Sequence, residues 1–323
     1  MVKVAYLYKG RPNLGAMIPK DVEPVMIDCG KDGRYAEEDL AKLKDVQAII
    51  VSTEPINEQL LAAAPKCRIV QRLGVGYDNV DLAAARKRGI PVCNTPGVNK
   101  EAVADHGMML IHAVNRSLVW NHSNTSQGKW ERRMRWDNAP MELAGRTMGI
   151  VGLGNTGFEL AKRCYAHGMK IVYNDIAPVA PEKLKAVEAA FLEKDDLFRQ
   201  SDVVSINCDL NDQSRNLADA RRLALMKPAA ILICCARGGI VDELALRDAL
   251  NQDKIAGAGL DVFEPEPIRK DNPLLSAKNV TLTPHVAGGT QESLTRTYVW
   301  AHENVRRAAG DQQPKWIVNG VGK

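Results

Sequence analysis

No run of about 18 to 20 uninterrupted apolar residues occurs in the sequence, so no segment reads as a membrane-spanning helix. The opening segment MVKVAYLYKG is short in its apolar part and broken by Lys3 and Lys9, and it is not expected to act as a secretory signal. A strong charge bias is also missing. The 43 basic and 39 acidic residues leave a surplus of +4, too small to point to nucleic acid or a membrane surface, yet compatible with a small anionic substrate. Cys29, Cys67, Cys93, Cys164, Cys208, Cys234 and Cys235 form an odd-numbered set without the spacing of a structural zinc site. They are expected to be free thiols in a reducing cytoplasm, with no metal bound. Internal repeats and low-complexity tracts are absent too. What is present is 323 residues with 45% hydrophobic content, enough for two domains with substantial cores.

The first hundred residues alternate β-branched runs with helical stretches. Val2 to Tyr8, Val46 to Val51, Arg68 to Gln71 and Pro91 to Asn94 read as strands, and Asn57 to Ala64 and Asp81 to Arg88 as helices. That alternation predicts an α/β fold with a parallel sheet. Glu101 to Trp120 reads as one long helix, suited to link domains. Residues 121 to 140 bring Trp130, Arg132, Arg133, Arg135 and Trp136 close together. A basic and aromatic mixture can stack on nucleic acid. No basic stripe recurs elsewhere, so the preferred reading is a loop packing on its own molecule or on a partner subunit.

From Arg146 a second α/β pattern begins. Strands are predicted at Thr147 to Gly152, Lys170 to Tyr173, Val203 to Asn207, Ala230 to Cys234, Gly257 to Asp261 and Asn279 to Leu282, with a helix at Thr156 to His167 and another from Gly289 to Ala309. Gly152, Gly154 and Gly157 form a GxGxxG motif between the first of these strands and its helix. The bare motif is weak evidence, but the strand before it, the helix and second strand after it, and the closing Asp175 make a dinucleotide-binding unit. Gly152 permits the tight turn, Gly154 lets backbone approach a pyrophosphate, and Gly157 allows close helix packing. Asp175 is placed to accept hydrogen bonds from ribose hydroxyls and would repel a 2′-phosphate, which favours NAD over NADP.

Arg237, Glu266 and His285 each follow a predicted strand end, the region where doubly wound sheets bind ligands. Singly, each has an ordinary explanation as a surface charge, a turn residue or a packing residue. Together they suit ketone reduction by hydride transfer. His285 as imidazolium would protonate the developing oxyanion, Glu266 would orient the ring and favour its charged form, and Arg237 would offer a fork of donors to a substrate carboxylate.

The blocks RLGVGYDNVD (72–81), CNTPGVNKEAVADHGMML (93–110), LALMKPAAILICCARGGIVDE (223–243), GAGLDVFEPEP (257–267) and TPHVAGGT (283–290), together with the glycine loop, resemble the D-isomer-specific 2-hydroxyacid dehydrogenase family. The resemblance spans nearly the whole chain. It implies two Rossmann-like domains, with a discontinuous substrate domain at 1–100 and 290–323 around an NAD-binding domain at 101–289. It implies that Arg237, Glu266 and His285 are the catalytic residues and that backbone N–H groups of Val75 and Gly76 bind the substrate carboxylate with Arg237. It also implies cofactor contacts at Asn155, Thr156, Asp175, Cys208, Cys235, Ala236 and Asp261, the last at the nicotinamide carboxamide, and a homodimer formed near the Trp130 segment.

Several positions depart from the usual pattern. Asn155 and Thr156 replace a common Arg-Ile pair, which removes one charge-assisted phosphate contact. Asn207, Cys208 and Asp209 replace His-x-Pro, and Cys234 and Cys235 replace Asn-Thr. Val51, Ser52 and Thr53 stand where phosphoglycerate enzymes often carry an arginine, which favours an unphosphorylated acid such as hydroxypyruvate or glyoxylate, although Arg72 could compensate. D-3-phosphoglycerate dehydrogenase is the second enzymatic reading. An NAD-sensing, corepressor-like interaction protein is the reading of a different class.

Overall fold

The computed structural model describes residues 1–7, 17–30, 32–131 and 140–322. Its contacts divide the chain into two units, Met1–Asn99 with Thr290–Lys323, and Lys100–Gly289. The first unit contains β1 (Val2–Leu7), β2 (Val22–Ile27), α1 (Glu37–Ala41), β3 (Ala48–Val51), α2 (Glu58–Ala63), β4 (Val70–Arg72), α3 (Leu82–Lys87) and β5 (Val92–Cys93). The strands form one parallel sheet in the order β2-β1-β3-β4-β5. Side chains alternate across it: Ala5 and Leu7 join one buried cluster, and Val4 and Tyr6 the other. A sheet covered on both faces needs apolar residues at every position, and β3, AIIV, is buried throughout. Asn57 and Asp81 start α2 and α3 by accepting the N–H groups of Leu60 and Ala84.

The second unit contains α4 (Lys100–Asn115), α5 (Leu118–Ser126), β6 (Thr147–Val151), α6 (Asn155–Ala166), β7 (Lys170–Asn174), α7 (Pro181–Ala186), β8 (Ala190–Phe191), α8 (Lys194–Gln200), β9 (Val203–Ile206), α9 (Ala220–Leu223), β10 (Ile231–Cys234), α10 (Glu243–Asn251), β11 (Gly257–Leu260) and β12 (Val280–Leu282). Its parallel sheet runs β12-β11-β10-β9-β6-β7-β8. The chain starts this sheet at β6, builds outward through β7 and β8, then returns to β9 on the other side of β6. The crevice at the carboxyl ends of β6 and β9 is therefore the topological switch point. The chain finally re-enters the first unit as α11 (Gln291–Ala309), whose Tyr298, Ala301, Val305 and Ala308 pack on Val4, Tyr6 and Ile50.

The α/β class with two parallel, Rossmann-like sheets agrees with the expectation from sequence. One element differs. The single helix expected from 101 to 120 is two helices, broken where Ser117 turns left-handed at φ 48°. Asn121 donates from its side chain to the Arg116 carbonyl at 2.8 Å, so the break does not leave that acceptor unmet. Part of the segment expected to be a loop, 121–126, is therefore helical. Tyr8, Arg132, Arg133, Arg135 and Trp136 lie outside the described residues. Among the described residues, no helix is long and apolar enough to cross a membrane.

Candidate active site

The glycine loop sits at the switch point. Gly152 has φ 90°, and a Cβ there would meet the Cys208 nitrogen at 2.8 Å, so the turn after β6 lies directly against the chain leaving β9. At Gly157 a Cβ would come within 2.0 Å of the Gly152 carbonyl oxygen, which fixes this position as glycine for packing of α6 on the loop. Gly154 is different: a Cβ would meet no heavy atom within 4 Å. It is the N-cap of α6 and provides no side-chain cap, while Asn155 and Thr156 occupy the first turn. A helix start presenting backbone N–H groups, bare of side chain at Gly154, fits a dinucleotide pyrophosphate.

Asp175 follows β7 and already holds the loop. Its Oδ2 accepts the Leu153 N–H at 2.8 Å and its Oδ1 accepts the Ala177 N–H at 3.0 Å. It is only half-buried, so carboxylate lone pairs remain for ribose hydroxyls. Cys208, whose backbone lies against Gly152, and Cys235 are half-buried, and Cys234 is buried. Burial raises the Cys208 thiol to about 11 and the Cys234 thiol to about 12, and it pushes Cys235 well up as well. All three are neutral at physiological pH and act as packing groups rather than nucleophiles.

Beyond β10 and β11 the structure brings together Arg237, Glu266 and His285. A Cβ at Gly238 would meet the Phe263 carbonyl oxygen at 2.0 Å, so glycine lets the turn after β10 touch the one after β11. Arg237 Nη1 donates to the Ala236 carbonyl at 2.7 Å, holding the side chain near its own turn. Glu266 Oε1 accepts the Phe263 N–H at 3.0 Å, and Oε2 lies 2.6 Å from His285 Nδ1. Burial raises the Glu266 carboxyl, but the His285 hydrogen bond, the Phe263 N–H and the Arg237 charge outweigh it and leave the group below its ordinary value. An ionised carboxylate only accepts, so Nδ1 carries the proton in this pair.

His285 is held in an unusual backbone conformation, φ 51°. For a residue with a Cβ this costs on the order of 1–3 kcal/mol and persists only when surrounding bonds fix it. Asp261 supplies them. Its carbonyl accepts the His285 N–H at 2.8 Å, and its fully buried carboxylate accepts from Val286 at 3.0 Å, Ala287 at 2.9 Å and the Thr283 hydroxyl at 2.6 Å. Sequence reasoning placed Asp261 at the cofactor and missed this second role, as well as Thr283. The TPH block was the available signal, but only folding joins it to residue 261.

Val75 and Gly76 belong to the first unit and follow β4. Their loop is anchored where Asn94 Nδ2 donates to the Val75 carbonyl at 2.7 Å and Gly74 donates to Thr95 Oγ1 at 2.9 Å. Arg72, at the end of β4, turns its guanidinium back to the Leu73 carbonyl.

The model of the D-isomer-specific 2-hydroxyacid dehydrogenase NAD-binding domain matches residues 108–287, more than half of the chain. The chain belongs to the D-isomer-specific 2-hydroxyacid dehydrogenase family. It is 41% identical to a glyoxylate reductase of Korarchaeum cryptofilum over 87% of this chain and 85% of that protein. It is also 37% identical to a D-3-phosphoglycerate dehydrogenase of Archaeoglobus fulgidus over 87% of this chain but only 53% of that protein. Among solved structures, an NADPH-dependent glyoxylate/hydroxypyruvate reductase of Sinorhizobium meliloti, in complex with NADP and malonate, superposes with a TM-score of 0.83. That structure shares 31% identity and covers 98% of this chain and 96% of its own. This 2-hydroxyacid dehydrogenase is thus an NAD(P)-dependent oxidoreductase of small D-2-hydroxy and 2-oxo acids.

Proposed function

We propose that this dehydrogenase reduces glyoxylate or hydroxypyruvate with NADH, using His285, Glu266 and Arg237 as its catalytic residues. The observation that carries this reading is the 2.6 Å contact of His285 Nδ1 with a Glu266 carboxylate held below its ordinary value. When bound, the nicotinamide supplies a hydride to the carbonyl carbon. His285, protonated on both ring nitrogens, gives the Nε2 proton to the carbonyl oxygen and keeps the Nδ1 proton on Glu266. Alcohol oxidation runs the same transfers backwards, with neutral His285 as base. Arg237 binds carboxylate through its guanidinium fork, and the backbone N–H groups of Val75 and Gly76 are assigned to carboxylate binding on the family resemblance. Gly152, Gly154, Asn155, Thr156 and Gly157 hold the pyrophosphate, while Cys208, Cys235 and Ala236 line the cofactor cleft.

Preference for NADH rests on Asp175. The segment after it, Ile176 to Ala180, contains no cation to pair with a 2′-phosphate, and the carboxylate would repel one. The unphosphorylated acid is favoured because Val51, Ser52 and Thr53 provide no cation for a substrate phosphate. A cytoplasmic location accords with seven cysteines that are all free. A homodimer accords with α5, a helix that buries none of its residues within the chain.

The test is turnover of purified protein with NADH and with NADPH against glyoxylate, hydroxypyruvate, pyruvate and 3-phosphohydroxypyruvate. Faster reduction of glyoxylate or hydroxypyruvate with NADH supports the proposal. Preference for the phosphorylated acid would favour the phosphoglycerate enzyme instead. Cofactor binding with no turnover of any acid would overturn the catalytic reading and revive the interaction-protein alternative.

A further inference from the structure

Behind the His285 loop lies a histidine that the proposed proton transfers do not use. His106 projects from α4 with its side chain 13% exposed. Its Nε2 is 2.9 Å from Thr283 Oγ1 and 3.5 Å from Asp261 Oδ1, and the Thr283 hydroxyl donates to that same Oδ1 at 2.6 Å. Asp261 also receives the Val286 and Ala287 N–H groups, so three donors converge on its two carboxylate oxygens. A hydroxyl has one proton, and Thr283 gives it to Asp261. The Nε2 of His106 must therefore be the donor to Thr283.

We infer that His106 is a positioning residue for the dehydrogenase reaction, acting through Thr283 and Asp261 on the Thr283–Ala287 backbone that carries His285. The inference rests on the proposed role of His285. The path is continuous: His106 fixes the Thr283 hydroxyl, that hydroxyl and two backbone N–H groups fix the Asp261 carboxylate, and the Asp261 carbonyl takes the His285 N–H. Without the His106 donor, the Thr283 hydroxyl is free to rotate away from Asp261. The carboxylate then loses one of the three bonds that set its plane. The left-handed turn at His285 depends on that plane, because Val286 and Ala287 bind the two different carboxylate oxygens.

The test compares His106→Leu, which removes the donor, with His106→Gln, whose side-chain amide can restore an N–H to Thr283. Kinetics would use NADH with the 2-oxo acid that the wild-type protein reduces best, and active sites would be counted by NADH binding. His106→Leu should lower kcat per active site about tenfold while leaving KM for the acid within about twofold, and His106→Gln should recover most of the loss. A purely structural role would reduce the number of NADH-binding sites and leave kcat per site unchanged. That result, or a His106→Leu variant with wild-type kcat, would overturn the inference. Should His106→Leu not fold, Thr283→Val against Thr283→Ser asks the same question: a loss confined to the valine variant supports the relay, and equal rates in the two refute it. Absence of turnover by the wild-type protein is a separate outcome, which defeats the proposed function and this inference together.

Discussion

The Glu266 carboxylate lies below its ordinary value, so its charge persists as pH falls through the usual glutamate range near about 4.3 and is lost only further down. From neutral to mildly acidic pH, His285 therefore faces a full negative charge 2.6 Å away. Replacing Glu266 with Gln removes that charge while keeping an acceptor. In the reductive direction Glu266→Gln should lower kcat about tenfold or more, because the ring loses the charged partner that orients it as proton donor. An unchanged kcat would mean that Glu266 does not govern the reacting proton. The glycine loop offers a paired test. Gly157→Ala places a Cβ 2.0 Å from the Gly152 carbonyl oxygen and should lower the melting temperature even without cofactor, whereas Gly154→Ala meets nothing and should not. Gly154→Ala should instead weaken NADH binding about tenfold, or roughly 1.4 kcal/mol, measured by fluorescence titration. At this scale the sequence was informative where residues stand at predicted strand ends, as Arg237, Glu266 and His285 do. It was silent on Asp261 as an anchor of the His285 turn, because that contact joins positions more than twenty residues apart.

The strands most plainly readable were those buried on both faces, since Ile231, Leu232, Ile233 and Cys234 alternate between two cores and leave no polar position. Two of the four edge strands were not readable. β2 carries Pro24 and the exposed Glu23, and β8 is two exposed residues, so neither shows a strand-like pattern. The helix break at Ser117 was hidden because no glycine or proline marks it. Glycines inside β11 have a packing reason visible only in three dimensions. At Gly257 a Cβ would stand 2.6 Å from Val114 Cγ1 of α4 and 2.8 Å from the Asn279 carbonyl oxygen, and at Gly259 it would stand 3.0 Å from Leu110 Cβ. Gly257→Ala should push α4 off the sheet and cost about 1–3 kcal/mol in urea denaturation. A neutral result would show that α4 can shift freely. In the first unit, α11 buries His302 between the Tyr6 hydroxyl at 2.7 Å and the Tyr298 carbonyl at 2.8 Å. Burial, helped by Arg306, outweighs the Tyr298 carbonyl and Asp21 and lowers its value. The unfolded chain thus takes the proton first, and stability is lost as pH falls below about 6.5. His302→Gln should flatten the change in urea midpoint between pH 7 and pH 5.5; an undiminished slope would place the acid sensitivity elsewhere.

At the scale of the whole molecule, α5, a helix that buries none of its own residues, has the clearest consequence. Short helices in water draw their stability from packing an apolar face, yet α5 has no buried residue, with Leu118 at 56% and Val119 at 57% exposure. Trp130, just beyond it, is 82% exposed. One such residue on a surface needs no explanation, but three within thirteen positions of one segment suit a partner that covers them. The proposed partner is a second copy of this chain, meeting it through the same segment, because a twofold arrangement lets one patch serve both sides. A stable interface of this kind buries about 1,600 Å² in total, which requires more than α5 alone and implies that the chain around it also takes part. Sedimentation of the wild-type protein at micromolar concentration should give twice the chain mass, and the double variant Leu118→Asp, Val119→Asp should shift it toward the single chain. A charged pair buried at the centre of an interface is expensive, whereas on a free surface it changes little, so the two cases separate cleanly. A wild-type protein that sediments as one chain, or a double variant that associates as well as the parent, would remove this segment as the dimer contact.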